Sequence, residues 1–209
     1  MLPPFSLSMA FLILVRHGES TANLANVFTG WLDAALSPTG EAEALTVAEK
    51  LRAFHFDEAF TSTLARAERT LAIILTALGQ TAIPVHRTEA LRERMYGDLQ
   101  GLNKAEVALK YGQAQVDEWR RSYDVAPPHG ESLQQTQARA VKYYDQEIVP
   151  VLRRGKNVLL VAHGNTLRGL RMHLEDLTPT QVVGLEIVTG GIRLYHFDSQ
   201  LAIVEMSSL

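Results

Sequence analysis

The 209-residue chain contains no cysteine. Disulfide staples and thiolate chemistry are excluded at once, and the absence agrees with a reducing, cytoplasmic setting. A chain of this length has no need of a staple, because one domain can bury roughly 70% of its unfolded surface. Strong basicity is missing too. Twenty Lys and Arg stand against 23 Asp and Glu, a formal net charge of −3, so neither nucleic acid nor an anionic membrane is the expected partner. No apolar run approaches the ~20 residues of a membrane span. The first ten residues carry no Lys or Arg and lead toward Arg16 and His17 without a small-residue cleavage site, which argues against a signal peptide. Residues 1–10 read as a flexible leader, with Met9 as an alternative start, and 11–209 as a single domain. Several common site signatures are also lacking: no Gly-x-x-x-x-Gly-Lys-Ser/Thr loop, no His-Glu-x-x-His run, no Gly-x-Ser-x-Gly elbow and no Gly-x-Gly-x-x-Gly turn. The seven histidines show no metal-ligand spacing, and no metal is expected.

What the chain does have is a repeated junction. Phe11 to Val15 (FLILV) runs straight into Arg16, His17, Gly18, Glu19 and Ser20, and Val158 to Ala162 (VLLVA) runs into His163, Gly164 and Asn165. Each five-residue apolar run reads as a buried strand, so each histidine follows a strand. In open α/β sheets, ligands bind just beyond the carboxyl ends of the strands. Two imidazoles and an arginine at that edge point to chemistry on a phosphate.

Between these junctions strands alternate with helices. A long loop, Gly18 to Leu36, precedes a helix opened by Ser37 as N-cap and Pro38 at the first helical position, reaching about Ala53. Asp57–Thr61 reads as a strand, Leu64–Leu78 as a helix stopped by Gly79, and Ile83–Arg87 as a strand. The alternation breaks over 91–129, where Asn103 with Glu106 suggests a capping box and Asp117–Arg121 a short helix. Ser132 with Gln135 opens a long helix to about Arg153, followed by the Val158 strand, helices from Asn165 and after Pro179, and a hairpin of Arg193–Phe197 with Leu201–Glu205. The pattern predicts a three-layer α/β sandwich: a mostly parallel sheet with one antiparallel strand and helices on both faces. The 91–129 insertion is expected to cover the carboxyl ends of the strands as a lid.

A solitary histidine at a loop start is ordinarily packing. Here the neighbours change the reading. Arg16 offers a planar fork suited to phosphate oxygens, and Gly18 permits close backbone approach. Imidazole is largely neutral at pH 7. His17 can therefore attack phosphorus and form a phosphohistidine, splitting one transfer into two steps. Ser20, Asn23, Thr29 and Gly30 in the following loop suit an oxygen-rich anion.

Arg16 to Ser20, Asn23, Phe28 to Trp31 (FTGW), Leu36, Ser37 and Gly40 together resemble the cofactor-dependent phosphoglycerate mutases. So do Glu93 to Gly97 (ERMYG), Leu99 to Lys104 (LQGLNK), Trp119 to Arg121 (WRR) and Ala162 to Asn165 (AHGN). Arg-His-Gly alone signals only the wider histidine phosphatase superfamily, whereas the Thr-Gly-Trp, Leu-Gln-Gly-Leu-Asn-Lys and Trp-Arg-Arg runs are far more specific to the mutases. The resemblance covers about Phe11 to Phe197 and is to the short form of the family.

The resemblance implies that 3-phosphoglycerate and 2-phosphoglycerate are interconverted in glycolysis and gluconeogenesis, with 2,3-bisphosphoglycerate as the priming phosphate donor. It implies His17 as the phosphorylated nucleophile and Glu93 as the general acid/base for the substrate hydroxyl. Arg16, Arg66 and His163 would hold the transferring phosphoryl, and Arg94, Tyr96, Lys104, Arg120 and Arg121 would grip the carboxylate and second phosphate. Gly18, Glu19, Ser20, Asn23, Thr29, Gly30, Gly164 and Asn165 complete the expected substrate-binding set. A bisphosphate with a carboxylate carries roughly −4 to −5 charges, counting ~−1.5 to −2 per phosphate ester, so several cations must converge on it. The alternative is a histidine-type phosphatase on small phosphorylated metabolites, for which Lys104, Arg120 and Arg121 would be unnecessary. Departures from the family pattern include Ala22 for a Trp, Arg92 for an Asn, Met95 for a His or Tyr, Thr166 for a Ser and Thr189–Ile192 for a Thr-Gly-Val-Pro run. None removes a proposed catalytic group. His129 alone joins Pro128 to Gly130, where longer members carry extra surface that bears on subunit contact; a homo-oligomer is compatible with this sequence.

Overall fold

A computed structural model describes residues 10–209. The leader expected over 1–10 and the alternative start at Met9 lie outside the described residues, apart from Ala10, which is buried and opens the first strand. In chain order the elements are β1 (Ala10–Arg16), α1 (Thr21–Leu24), α2 (Pro38–Lys50), β2 (Glu58–Ser62), α3 (Ala65–Ala77) and β3 (Val85–Thr88). Then follow α4 (Lys104–Tyr111), α5 (Gln113–Arg121), α6 (Leu133–Tyr143), α7 (Val149–Arg153), β4 (Val158–Ala162), α8 (Gly164–Leu174), α9 (Pro179–Gly184), β5 (Ile192–Phe197) and β6 (Ile203–Ser208). The six strands form one sheet in the order β3-β2-β4-β1-β5-β6. β1 to β4 run parallel to one another, and β5 is antiparallel to both of its neighbours, β1 and β6.

The continuous apolar runs are explained by burial on both faces. Side chains alternate along a strand, so Leu12 and Leu14 of β1 join Leu160, Ala140, Ile148, Leu167 and Leu170 in one core beneath α6 and α8. Ile13 and Val15 join Leu159, Val161, Val47, Leu71 and Ile74 in the other, beneath α2 and α3. Each fully buried Leu, Ile or Val contributes about 1.5–3 kcal/mol relative to exposure, and a slip of one residue in β1 would exchange the two cores. A third, smaller cluster of Phe28, Leu99, Val107, Val116 and Trp119 anchors the 91–129 segment against the loop after β1.

Most expected helix starts form as read. Ser37 Oγ accepts the amide of Gly40 with Pro38 at the first position, and Ser132 and Gln135 exchange both bonds of a capping box. Others differ. Asn103 caps α4 by accepting from Ala105 and Glu106, but among the described residues only this half of the expected box forms. The single helix expected from 132 to 153 is broken by a π-turn at Tyr144–Ile148. Pro150 lies just beyond it, and a proline cannot donate to the carbonyl four residues back. In the terminal hairpin the Asp198 carboxylate holds the amides of Gln200 and Ala202, so β6 starts at Ile203 rather than Leu201. The core reason for the fold's relevance to function is the register of β1 on β4: Arg16 pairs with Ala162, and the amide of His17 donates to the Ala162 carbonyl at 2.9 Å. The two histidines therefore emerge side by side.

Candidate active site

The ring centroids of His17 and His163 are 4.9 Å apart at the carboxyl edge of the sheet. Both residues are almost fully buried. His17 Nδ1 lies 2.7 Å from the Gly18 carbonyl. A carbonyl only accepts, so the proton sits on Nδ1 and leaves the Nε2 lone pair uncommitted. Burial, with the charges of Arg66 and Arg16 acting in the same sense, holds the His17 imidazole well below its ordinary pKa. It is neutral at physiological pH, the form a nucleophile requires. His163 is held low for the same reasons, burial first and then Arg66. Its Nε2 stands 2.7 Å from Ser62 Oγ, and that oxygen also accepts the amide of Leu64. His163 Nδ1 is buried without a protein partner.

A cavity of about 200 Å³ opens beside His17. Of the residues expected from the sequence, Arg16, His17, Asn23, Thr29, Gly30, Arg66, Glu93, Tyr96, Lys104, Arg120, Gly164 and Asn165 line it. The 91–129 insertion thus supplies four wall residues: Glu93, Tyr96, Lys104 and Arg120. The remaining expected residues stand elsewhere. Glu19 accepts from the Ser37 hydroxyl at 2.6 Å, and Ser20 caps α1 in a capping box with Asn23. Gly18 packs its backbone on Gly40 so closely that a Cβ on Gly18 would collide with Gly40, and one on Gly40 with Glu19; the missing side chains let this loop meet α2. Arg121 is exposed and outside the cavity lining. His163 and Arg94 are fully buried and outside the cavity lining, His163 beside His17 and Arg94 against the Tyr96 hydroxyl.

The cations are unusual in what they lack. Among the described residues, Arg16, Arg66, Arg94, Lys104, Arg120 and Arg168 have no carboxylate within 4.0 Å. Arg66, 1% exposed, donates only to the carbonyls of Leu32 and Gly30, and burial lowers its pKa to about 10. Arg16 donates to the Ile187 carbonyl at 2.6 Å while its Nε has no partner, and two nitrogens of the fully buried Arg94 are likewise unpartnered. Burial also lowers Lys104, with Arg120 as its strongest charged neighbour. A buried charge without a counter-charge is costly, so this set fits an anionic ligand with oxygens at more than one place. Among the described residues no group of three or more His, Asp or Glu could hold a metal ion.

Glu93 is the carboxylate of the cavity. Its Oε1 accepts the amides of Arg94 at 2.8 Å and Asn165 at 3.1 Å. The main chain around it is clamped by a residue that sequence reasoning missed. Arg139 on α6 uses every N–H of its guanidinium: Nε and Nη2 hold the Glu131 carboxylate, Nη1 holds the Ala90 and Arg92 carbonyls, and Nη2 also holds the Glu93 carbonyl. Trp31 Nε1 donates to the same Glu93 carbonyl at 2.7 Å. Arg168, Val27, Phe28 and Ile187 also line the cavity without having been expected. Arg168 lies on the second turn of α8, where nothing in the local sequence distinguishes a cavity arginine from a solvated one.

A sequence model described as the histidine phosphatase superfamily, branch 1, matches residues 12–207. The chain is similar in structure to a Bacillus stearothermophilus protein, YhfR, with a TM-score of 0.81 and 27% identity over 93% of this chain and 94% of that one. A mycobacterial glucosyl-3-phosphoglycerate phosphatase solved with VO3 gives a TM-score of 0.81 and 26% identity over 95% and 97%. In sequence it is 54% identical to the 2,3-bisphosphoglycerate-dependent phosphoglycerate mutase of Cytophaga hutchinsonii over 95% of this chain and 93% of the relative. It is 52% identical to the phosphoglycerate mutase of Schizosaccharomyces pombe over 90% of each. The chain belongs to the histidine phosphatase superfamily and, within it, to the 2,3-bisphosphoglycerate-dependent phosphoglycerate mutases.

Proposed function

We propose that the chain interconverts 3-phosphoglycerate and 2-phosphoglycerate through a phosphoryl group carried on His17. The observation that carries this reading is the pairing of a neutral His17, its Nε2 free, with a cavity whose cations are left unpaired by protein at both ends: Arg16 and Arg66 acting on His17, Lys104 beside Arg120. A general phosphatase needs the first group and not the second. The unpartnered Arg16 Nε in the cavity wall and His163 Nδ1 beside His17 fit a ligand bearing several anionic oxygens. 2,3-Bisphosphoglycerate, when bound, supplies the phosphoryl that primes His17.

With phosphoryl on His17 Nε2, Glu93 accepts the proton of the substrate's C2 hydroxyl as that oxygen attacks phosphorus. The Nε2–P bond breaks and its electron pair returns to the imidazole. Arg16, Lys104 and Arg120 retain the bisphosphorylated molecule while its two ends exchange places. His17 Nε2 then attacks the C3 phosphoryl, the bond between phosphorus and the C3 oxygen breaks, and Glu93 returns the proton to that oxygen. Ser62, already accepting from Leu64, donates its own proton to His163 Nε2, which leaves Nδ1–H to donate to the moving phosphoryl. Positioning and charge stabilisation supply the rate in such transfers, and Arg66 and Arg16 in the cavity wall offset the charge of the equatorial oxygens. The 91–129 walls exclude water that would otherwise hydrolyse the phosphohistidine. A cytoplasmic setting agrees with a cysteine-free chain, and among the described residues no helix is long and apolar enough to cross a membrane. Incubation with 3-phosphoglycerate, with and without catalytic 2,3-bisphosphoglycerate, tests the reading. Formation of 2-phosphoglycerate, stimulated by the bisphosphate, is expected; free phosphate as the main product would overturn it.

A further inference from the structure

The rim of the cavity contains a chain of hydrogen bonds whose sense is fixed at both ends. Arg168 donates through Nε to the Leu185 carbonyl at 2.8 Å and through Nη1 to Asn165 Oδ1 at 3.1 Å. A guanidinium has no acceptor, so the atom of Asn165 facing it must be the amide oxygen. The amide nitrogen is thereby turned to the other side, where it donates to the Tyr96 hydroxyl at 3.3 Å. Arg94, also donor-only, donates to the same hydroxyl at 3.2 Å. Tyr96 oxygen thus receives two donors, and no described residue accepts its proton. Tyr96 lines the cavity, so the one direction left for the O–H is into it.

We propose that Arg168 is a positioning residue: by fixing which way the Asn165 amide faces, it commits the Tyr96 proton to an anionic oxygen of the substrate. The inference rests on the mutase reading for the identity of that substrate and adds a residue whose role the geometry assigns. An asparagine without this constraint could present its oxygen to Tyr96 and draw the hydroxyl proton away from the cavity.

The test is a double-mutant cycle of Arg168→Gln and Tyr96→Phe, read on the dissociation constant and KM for 3-phosphoglycerate. Glutamine can accept as well as donate, so it releases the constraint. Each single variant is expected to weaken binding about tenfold, and the double variant no more than either alone, because both remove the same hydrogen bond. Arg168→Lys, still a pure donor, is expected to restore most of the affinity lost in Arg168→Gln. Circular dichroism establishes that each variant is folded, and calorimetric binding does not depend on turnover. Effects that multiply in the double variant would overturn the chain, as would unchanged affinity in Arg168→Gln. Failure of the wild-type protein to isomerise 3-phosphoglycerate would instead strike the mutase reading.

Discussion

The two edges of the sheet handle charge in opposite ways. At the amino edge, Glu58 at the start of β2 meets Lys156 at 2.8 Å, His86 at 2.9 Å and Arg154 at 3.3 Å. Burial alone would raise its carboxyl pKa, but hydrogen bonds from Lys156 and His86 hold it below the ordinary carboxylate range. At the carboxyl edge, Arg66 and Arg94 are buried and Arg16 partly buried with no carboxylate beside them, and nitrogens of Arg16, Arg94 and His163 have no partner. One edge is closed within the protein. The other is completed only by an anion, and that is the physical mark of a site. The shifted Glu58 at the amino edge is structural, since its own protein partners satisfy it.

This contrast is broken or sharpened by variants at each edge. His17→Ala should lower kcat by at least about 10³-fold, since it removes the atom that carries the phosphoryl, whereas Glu58→Gln should leave kcat/KM within about twofold. Glu93→Gln should lower kcat by about 10²–10⁴-fold with little change in KM, the range for loss of a general acid/base. Arg139→Lys should cost about 10–100-fold in kcat by loosening the main chain under Glu93, with binding of 3-phosphoglycerate largely retained. The pH response is smaller but has a definite sign. Unfolded histidines take up protons near pH 6.5 that buried His17 and His163 refuse, so stability should fall as pH drops from 6.5 toward their lowered folded values. His163→Asn should lessen that slope in denaturant titrations. The smallest effect is at the amino edge. Glu58→Gln should cost about 1 kcal/mol, because its partners are 40–54% exposed and screened. The depressed carboxyl contributes above pH 4.5, its unfolded value, and that contribution is lost as pH falls through the lower folded value.

The sequence made the sheet and its edge legible for a simple reason. Five-residue apolar runs ending in His17 and His163 can be satisfied only by strands buried on both faces, and adjacent strands bring their ends together. Caps at Ser37 and Ser132 were legible because side chain and amide lie within one turn. The rest depended on distant contacts. The helix α5 begins at Gln113 rather than 117, directly after Gly112 and with no side-chain cap to announce it. The one-turn α1 is too short for periodicity to reveal. Arg139 and Arg168 sit on helices whose local pattern gives no hint of what they reach, since their partners lie 46–49 and 17 residues away in sequence. Ser20 and Glu19 read as ligand contacts in the sequence; nothing there signals that they also hold the cap of α1 and Ser37.

The central claim is that a phosphoryl group resides on one imidazole nitrogen. The protein incubated with 2,3-bisphosphoglycerate, quenched in alkali and mapped by tandem mass spectrometry should carry an acid-labile phosphate on His17, absent from His17→Ala and retained in Glu58→Gln. Turnover with no phosphorylated His17, or with the label on another side chain, would contradict the account.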